Sequence, residues 1–118
     1  MNLYRFINYI MIIDINGYKE FNKYIVNKSN NIIITYIYTR EVWCEKLNNT
    51  LFPIFKENNN GNVIFLKVDA DVQANHEVLS KTDVTNYPIV RLYKEGNMFQ
   101  EIYCTYPNIS SIIKSLIN

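Results

Sequence analysis

The chain has 118 residues, a length that suits one compact domain and leaves no room for two. Apolar residue types make up 48% of it, enough for a buried core, so a globally disordered chain is excluded. Its 12 basic and 11 acidic side chains give a net charge of +1, which favours neither nucleic acid nor an anionic membrane as a partner.

The opening stretch Met1–Ile13 has two interpretations. Arg5 followed by apolar residues is typical of a signal peptide, but polar residues interrupt the run and no small-residue cleavage site follows. No run in the chain approaches the ~20 apolar residues of a membrane helix. We therefore interpret residues 11–15 as a first strand. We expect a cytoplasmic protein, with the secretory route as the alternative.

The first half of the chain alternates between helix-like and strand-like segments. Apolar residues after Gly17 recur at three-to-four spacing and predict a helix. Residues 32–38 are almost continuous in β-branched and aromatic types, as a central strand covered on both faces should be. A second helix is predicted from about Trp43 to Glu57, and Pro53 within it predicts a kink.

The same alternation continues after a polar loop at residues 58–62. Residues 63–68 predict another buried strand. A third helix is predicted over residues 72–81, with Asp71 as its N-cap.

The last part of the chain predicts a hairpin and a closing helix. Residues 89–93 and 98–104 form the two strands, joined by a turn at Lys94–Asn97. Apolar residues between Ile109 and Ile117 have helical spacing. The order β-α-β-α-β-α-β-β-α over residues 1–118 predicts a single α/β domain, with helices on both faces of a mixed sheet.

Three short motifs lie on these elements. A predicted strand ends in Val68-Asp69, Tyr87-Pro88 precedes the next strand, and Lys94-Glu95-Gly96 occupies the hairpin. In these motifs, and in the order of elements over nearly the whole chain, the sequence resembles the thioredoxin-like superfamily. The resemblance implies a thioredoxin fold, a cis peptide bond before Pro88 and a groove at Tyr87 and Pro88 that pairs with an extended peptide. The alternative at this position is an ordinary trans proline that opens a strand.

The segment that carries the family's chemistry departs from its pattern. Thioredoxins have Trp-Cys-x-x-Cys at the start of the second helix, where this chain has Trp43-Cys44-Glu45-Lys46-Leu47. Matching Trp43-Cys44 to the family's Trp-Cys puts Leu47 at the resolving position. A gapless match from the central strand puts Glu41 at the nucleophile's position and Cys44 at the resolving one. In both registers one sulfur is missing, so a mixed disulfide cannot be released by internal exchange.

The gapless register has two further implications. It leaves Thr35 where thioredoxins keep a buried acid that assists proton transfer. It also makes residues 44–51 similar to the Cys-Asp-x-Leu-Asn-x-x-Leu stretch of the phosducin-like branch. Members of that branch are binding proteins and chaperone cofactors without dithiol chemistry.

The two cysteines, at positions 44 and 104, each have more than one interpretation. At a helix N-terminus the Cys44 thiolate would be stabilised, giving a monothiol nucleophile that works with glutathione or another external thiol. Alternatively, Cys44 packs as a small apolar side chain. By the resemblance, Cys104 lies near the proline loop, and a disulfide to Cys44 would need Cα atoms within ~7 Å. Two cysteines alone do not form a disulfide scaffold, which agrees with a reducing compartment.

Trp43 and His76 are the remaining candidate residues. Trp43 is either an anchor of the binding groove, together with Tyr87, Pro88 and Cys104, or a packing residue. His76 has no second histidine and no close cysteine, so we expect no metal site, and the chain has no glycine-rich phosphate loop that would indicate a cofactor.

Together these observations favour a thioredoxin-like domain without dithiol redox chemistry that binds a protein or an extended peptide. A monothiol oxidoreductase that uses Cys44 is the alternative. A third hypothesis is a piece of a larger disulfide-isomerase-type protein of the secretory route, which only the N-terminal stretch favours.

Overall fold

The computed structural model describes residues 12–27, 31–57 and 63–103, together with positions 111 and 115. Its elements, in chain order, are β1 (Ile12–Asp14), α1 (Tyr18–Ile25), β2 (Ile32–Tyr38), α2 (Val42–Glu57), β3 (Val63–Asp69), a 3-10 turn (Gln73–Asn75), α3 (His76–Lys81), β4 (Ile89–Lys94) and β5 (Asn97–Tyr103). Ser111 and Ser115 are helical, but most of the predicted closing helix lies outside the described residues, as do the opening 11 residues and Cys104.

The five strands form one mixed sheet in the order β1-β3-β2-β4-β5. Strands β1 and β2 each run parallel to β3, whereas β4 is antiparallel to both β2 and β5. The central strand β2 has a neighbour on each side along its whole length, which explains why its sequence is apolar almost throughout. The predicted thioredoxin fold is confirmed.

Side chains of alternate residues in the strands enter two separate cores. Ile33 and Ile37 of β2 join the cluster that contains α1 and α3 residues, whereas Ile34 and Tyr36 join the cluster that contains α2 residues. This period of two is the pattern of a sheet with helices on both faces. The sheet with its two helical layers therefore corresponds to the three-layer α/β/α arrangement expected from the sequence.

The segment after β3 differs from the prediction. Instead of one helix over 72–81, the chain forms a 3-10 turn and then the short helix α3, which begins at His76. Asp71 is not the N-cap of either, because Val72 caps the turn and Asn75 caps α3. The Asp71 carboxylate instead accepts a hydrogen bond from the Arg40 backbone N–H at 2.7 Å. The position of Asp71 just before a helical segment predicted that it caps the helix. The parallel pairing of β2 and β3 instead brings the Arg40 backbone N–H to the Asp71 carboxylate.

Candidate functional site

Cys44 lies in the first turn of α2 and has no exposed surface. Its thiol is free, and its sulfur accepts a hydrogen bond of 3.3 Å from the hydroxyl of Thr39. Thr39 is itself only 8% exposed. The sulfur is therefore buried beneath the junction of β2 and α2, although Cys44 lies in the first turn of the helix.

The loop between β2 and α2 is held by two aspartates, one at the end of β3 and one two residues beyond it. The guanidinium Nε of Arg40 contacts Asp69 Oδ2 at 2.9 Å, and the Arg40 backbone N–H donates to Asp71. Asp69 in turn accepts the backbone N–H of Asp71 at 2.9 Å. The hydrogen bond that Arg40 donates to Asp69, together with the negative charge of Asp69, raises the pKa of Arg40 above its ordinary value. Because β2 and β3 are parallel, their carboxyl ends meet, and this meeting point fixes the loop above Cys44.

A cleft of about 320 Å³ opens beside this loop. It is lined by side chains of mixed chemistry, namely Tyr38, Thr39, Arg40, Glu45 and Asn48. Burial, and then the charge of Asp69, raises the pKa of Tyr38 to about 12. Tyr38 stacks on the ring of Tyr36 at 5.1 Å, and Tyr36 donates a 2.6 Å hydrogen bond to Asn48. The cleft therefore has an aromatic wall held in place by packing and a polar rim.

Thr35 lies in the middle of β2 and is completely buried. Its hydroxyl donates a hydrogen bond of 3.2 Å to the carbonyl oxygen of Arg91, its partner on β4. The Arg91 side chain is also buried and forms an ion pair with Glu101 at 2.8 Å. A threonine hydroxyl does not ionise near neutral pH, so Thr35 cannot exchange a proton as the buried acid of the family pattern does.

The Tyr87–Pro88 peptide bond is cis. Tyr87 is half-buried against the core cluster on the α1 and α3 side, and Pro88 is buried. Trp43 is the second residue of α2, but its side chain lies outside the described part of the structure, as does all of Cys104. Of the predicted groove, the structure therefore describes Tyr87 and Pro88.

Comparison with known proteins identifies the family. The Thioredoxin family model matches residues 13–116, nearly the whole chain. This chain belongs to the thioredoxin family.

Solved thioredoxin structures share its fold at low sequence identity. Thioredoxin from Trypanosoma brucei brucei superposes with a TM-score of 0.73 at 20% identity, with 90% of each chain covered. Oxidized thioredoxin O2 from Arabidopsis thaliana gives a TM-score of 0.75 at 17% identity, covering 92% of this chain and 96% of that one. A comparison with curated proteins finds no match.

Within the thioredoxin family pattern, the sequence offered no reason to select Arg40 and Asp71. Both belong to polar stretches that resemble ordinary loops, and they are 31 residues apart. One signal was available: Asp69 ends a strand that a helix connects to β2, an arrangement that usually makes two strands parallel and brings their carboxyl ends together.

The structure also locates the remaining sequence candidates. His76 is exposed at the start of α3, and Glu41 is exposed before α2. Within residues 12–27, 31–57 and 63–103 and positions 111 and 115, no three His, Cys, Asp or Glu residues lie close enough to hold a metal ion. None of the helices described is long and apolar enough to span a membrane.

Proposed function

We propose that this thioredoxin-family chain binds a protein or an extended peptide and does not catalyse dithiol–disulfide exchange. The burial of the Cys44 sulfur under Thr39 carries the proposal. Exchange requires a thiolate that reaches the sulfur of another molecule and a second thiol that resolves the product. The Cys44 sulfur has no exposed surface, so it offers no accessible thiolate at the start of α2. The other cysteine of the chain is at position 104, so the sequence at the start of α2 supplies no second thiol.

The absence of an ionisable group at Thr35 supports the same proposal. Thr35 uses its hydroxyl to bridge β2 and β4, which is a structural use of a position that carries an acid in the family pattern. A protein that moves protons to and from a buried thiol during catalysis would need an acid or a base at this position. Hydrogen bonding to a carbonyl stabilises the sheet and contributes nothing to thiol chemistry.

The proposed binding surface surrounds the start of α2. It would combine the cleft at Tyr38 and Arg40 with Tyr87, which lies two residues before β4. Tyrosine and arginine are enriched where proteins contact each other, because both offer a large contact area and directed hydrogen bonds. Arg40 is suited to such a contact since its side chain is 69% exposed while Asp69 holds its Nε.

Insulin reduction with dithiothreitol as electron donor tests the loss of exchange activity. We expect the wild-type chain and the Cys44→Ser variant to give the same rate as dithiothreitol alone. Turnover above that background that disappears in Cys44→Ser would refute the proposal. A thioredoxin with an intact Cys-x-x-Cys pair serves as the positive control.

Binding is tested by screening a library of extended peptides against the wild-type chain and an Arg40→Glu variant. Lys81→Glu is the matched control, because it reverses one exposed charge on α3. We expect selected peptides to bind the wild type and the control but to lose at least ~10-fold in affinity on Arg40→Glu. Peptides that bind all three equally would place the surface elsewhere.

A monothiol oxidoreductase is the second candidate, favoured by the place of Cys44 in the first turn of the 16-residue helix α2. It predicts a mixed disulfide between Cys44 and glutathione after incubation of the folded protein with oxidised glutathione. Mass spectrometry of a Cys104→Ser variant detects this adduct at a single site. We expect no adduct until denaturant is added.

A further inference from the structure

The dipeptide Asn16-Gly17 lies between β1 and α1 and brings together two groups that can react with each other. In an Asn-Gly sequence the backbone nitrogen of the glycine can attack the side-chain carbonyl carbon of the asparagine. Glycine permits this attack best because it has no Cβ to hinder the approach. Asn16 is exposed, so water reaches its amide. Sequence and exposure together make Asn16 a candidate for deamidation.

Deamidation proceeds through a cyclic imide and needs only water as co-reactant. The Gly17 nitrogen loses its proton and forms a bond to Cγ of Asn16. The bond from Cγ to the side-chain nitrogen breaks, and that nitrogen leaves as ammonia with the proton from Gly17. Water then opens the imide at either of its carbonyl carbons. The product at position 16 is an aspartate or its isomer isoaspartate, in which the main chain runs through the side chain.

The folded chain engages the nitrogen that would attack. The Gly17 N–H donates a hydrogen bond of 2.8 Å to Oδ1 of Asn75, which has no exposed surface. An attack by Gly17 removes this proton and leaves Oδ1 of Asn75 without its donor. A buried acceptor that loses its donor costs free energy, because water does not replace the bond. The reaction is therefore suppressed for as long as Asn75 holds the Gly17 N–H.

Further hydrogen bonds hold the main chain on both sides of the Asn16–Gly17 peptide bond. The Asn16 N–H donates to Oε1 of Glu20 at 2.8 Å. The Gly17 carbonyl oxygen accepts the N–H of Phe21 at 3.1 Å, in the first turn of α1. A main chain held in this way has little freedom to close an imide ring, so the reaction requires local opening.

We propose that Asn16 is a deamidation site that Asn75 keeps latent, and that it converts to aspartate or isoaspartate only when the hydrogen bond between Gly17 and Asn75 opens. Isoaspartate lengthens the connection between β1 and α1 by a carbon atom. This change falls where Asn75 joins the connection to the end of β3, at the carbonyl oxygen of Asp69. The proposal uses none of the contacts on which the proposed function depends, so either can fail without the other.

Peptide mapping by mass spectrometry, after incubation at mildly alkaline pH, measures the conversion of Asn16. We expect the folded wild-type chain to convert at least ~10-fold more slowly than the same chain in guanidinium chloride, because only the opened state reacts. The other Asn-Gly dipeptide, Asn60-Gly61, lies outside the described residues. In guanidinium chloride it should convert at the same rate as Asn16, and it serves there as the internal standard.

Two variants at position 75 separate the hydrogen bond to Gly17 from overall stability. Asn75→Ala removes the acceptor of the Gly17 N–H, whereas Asn75→Asp keeps an oxygen there. Both variants lose the donor to the carbonyl oxygens of Ile15 and Asp69. We expect Asn16 to convert at least ~10-fold faster in Asn75→Ala than in Asn75→Asp.

Circular dichroism under the incubation conditions checks that both variants are folded. If either is unfolded, the comparison of the folded and denatured wild type decides alone. A folded wild type that converts as fast as the denatured chain would overturn the proposal. Equal rates in folded Asn75→Ala and folded Asn75→Asp would overturn it as well, because the oxygen at position 75 would then have no effect.

Discussion

The hydroxyl of Thr39 donates a hydrogen bond of 3.3 Å to the sulfur of Cys44, and both side chains are buried. Thr39 directly follows β2, and Cys44 lies in the first turn of α2. The bond therefore joins the end of the central strand to the start of the helix that carries the family's chemistry. It fixes the sulfur inside the protein.

Alkylation measures how well this arrangement hides the sulfur. In a Cys104→Ser background, iodoacetamide should modify Cys44 at least ~100-fold more slowly in the folded protein than in urea, because reaction requires local opening. Replacing Thr39 with Val removes the donor. We expect this variant to lose ~0.5–1.5 kcal/mol of stability and to be alkylated faster. Thr39→Ser keeps the hydroxyl and is the control; equal rates for folded and unfolded chain would contradict the burial.

Asn75 connects three segments of the chain through its buried side chain. Its Nδ2 donates to the carbonyl oxygens of Ile15 and Asp69 at 3.1 and 3.0 Å, and its Oδ1 accepts the N–H of Gly17 at 2.8 Å. No surface of Asn75 is exposed, so water cannot replace these bonds. The residue thereby ties the ends of β1 and β3 to the start of α1.

Removal of these bonds should be costly. We expect Asn75→Ala to lower the free energy of unfolding by ~2–4 kcal/mol, because three backbone groups lose their partner. Asn75→Asp should be no better, since a buried carboxylate accepts from Gly17 but cannot donate to two carbonyls. Urea denaturation measures both. The exposed Asn49→Ala on α2 should lose nothing, and a similarly small effect at Asn75 would refute this role.

The turn between β4 and β5 has two residues with positive φ, Glu95 at 52° and Gly96 at 84°. This combination is typical of a type I′ turn, in which Asn-Gly is favoured. Glu95→Asn should stabilise the protein by ~0.5–1 kcal/mol, and Gly96→Ala should destabilise it by ~1 kcal/mol. An added Cβ at Gly96 would be 3.8 Å from the Ile25 carbonyl oxygen, so the cost comes from φ and not from a clash. Thermal denaturation of both variants tests these two predictions. A Gly96→Ala variant with unchanged stability would contradict the role of the positive φ.

The raised pKa of Tyr38 predicts how the stability of the protein changes at high pH. Its pKa is raised by burial and by Asp69 to about 12 in the folded chain, against 10.0 for an ordinary tyrosine. The folded state therefore holds this proton where the unfolded state has lost it, and stability should fall as the pH rises from 10 to 12 and be unaffected by Tyr38 below pH 10. Urea midpoints measured over this range should decline less steeply for Tyr38→Phe. An identical decline in both proteins would show that other groups cause it.

Local sequence was enough for the elements that make up the fold. The run at residues 32–38 became β2 with the predicted bounds, and α2 begins within one residue of the predicted start. Both segments are dense in residue types that suit one conformation, so tertiary contacts had little to change. The kink predicted at Pro53 stays a prediction, while Pro53 does lie inside α2 as expected.

Where a polar residue has several possible partners, sequence spacing was a poor guide. Asp71 precedes a helical segment and was predicted to cap it, yet it binds the backbone of Arg40. Asn75 lies in the stretch 72–81 that was predicted to be one helix, and it is one of the most buried polar residues described. Both choices depend on which strand ends lie side by side. The parallel pairing of β3 with β2 decides this for Asp71, and that of β3 with β1 decides it for Asn75.

The sequence alone determined that this chain has a thioredoxin-type order of elements and only one cysteine near the start of α2, because hydrophobic periodicity and residue identity are local properties. Only the tertiary structure decided that the Cys44 sulfur is buried under Thr39 and that Met98 and Phe99 of β5 are about half exposed. Exposure depends on what the rest of the chain places over a side chain, and residues distant in sequence make that contribution.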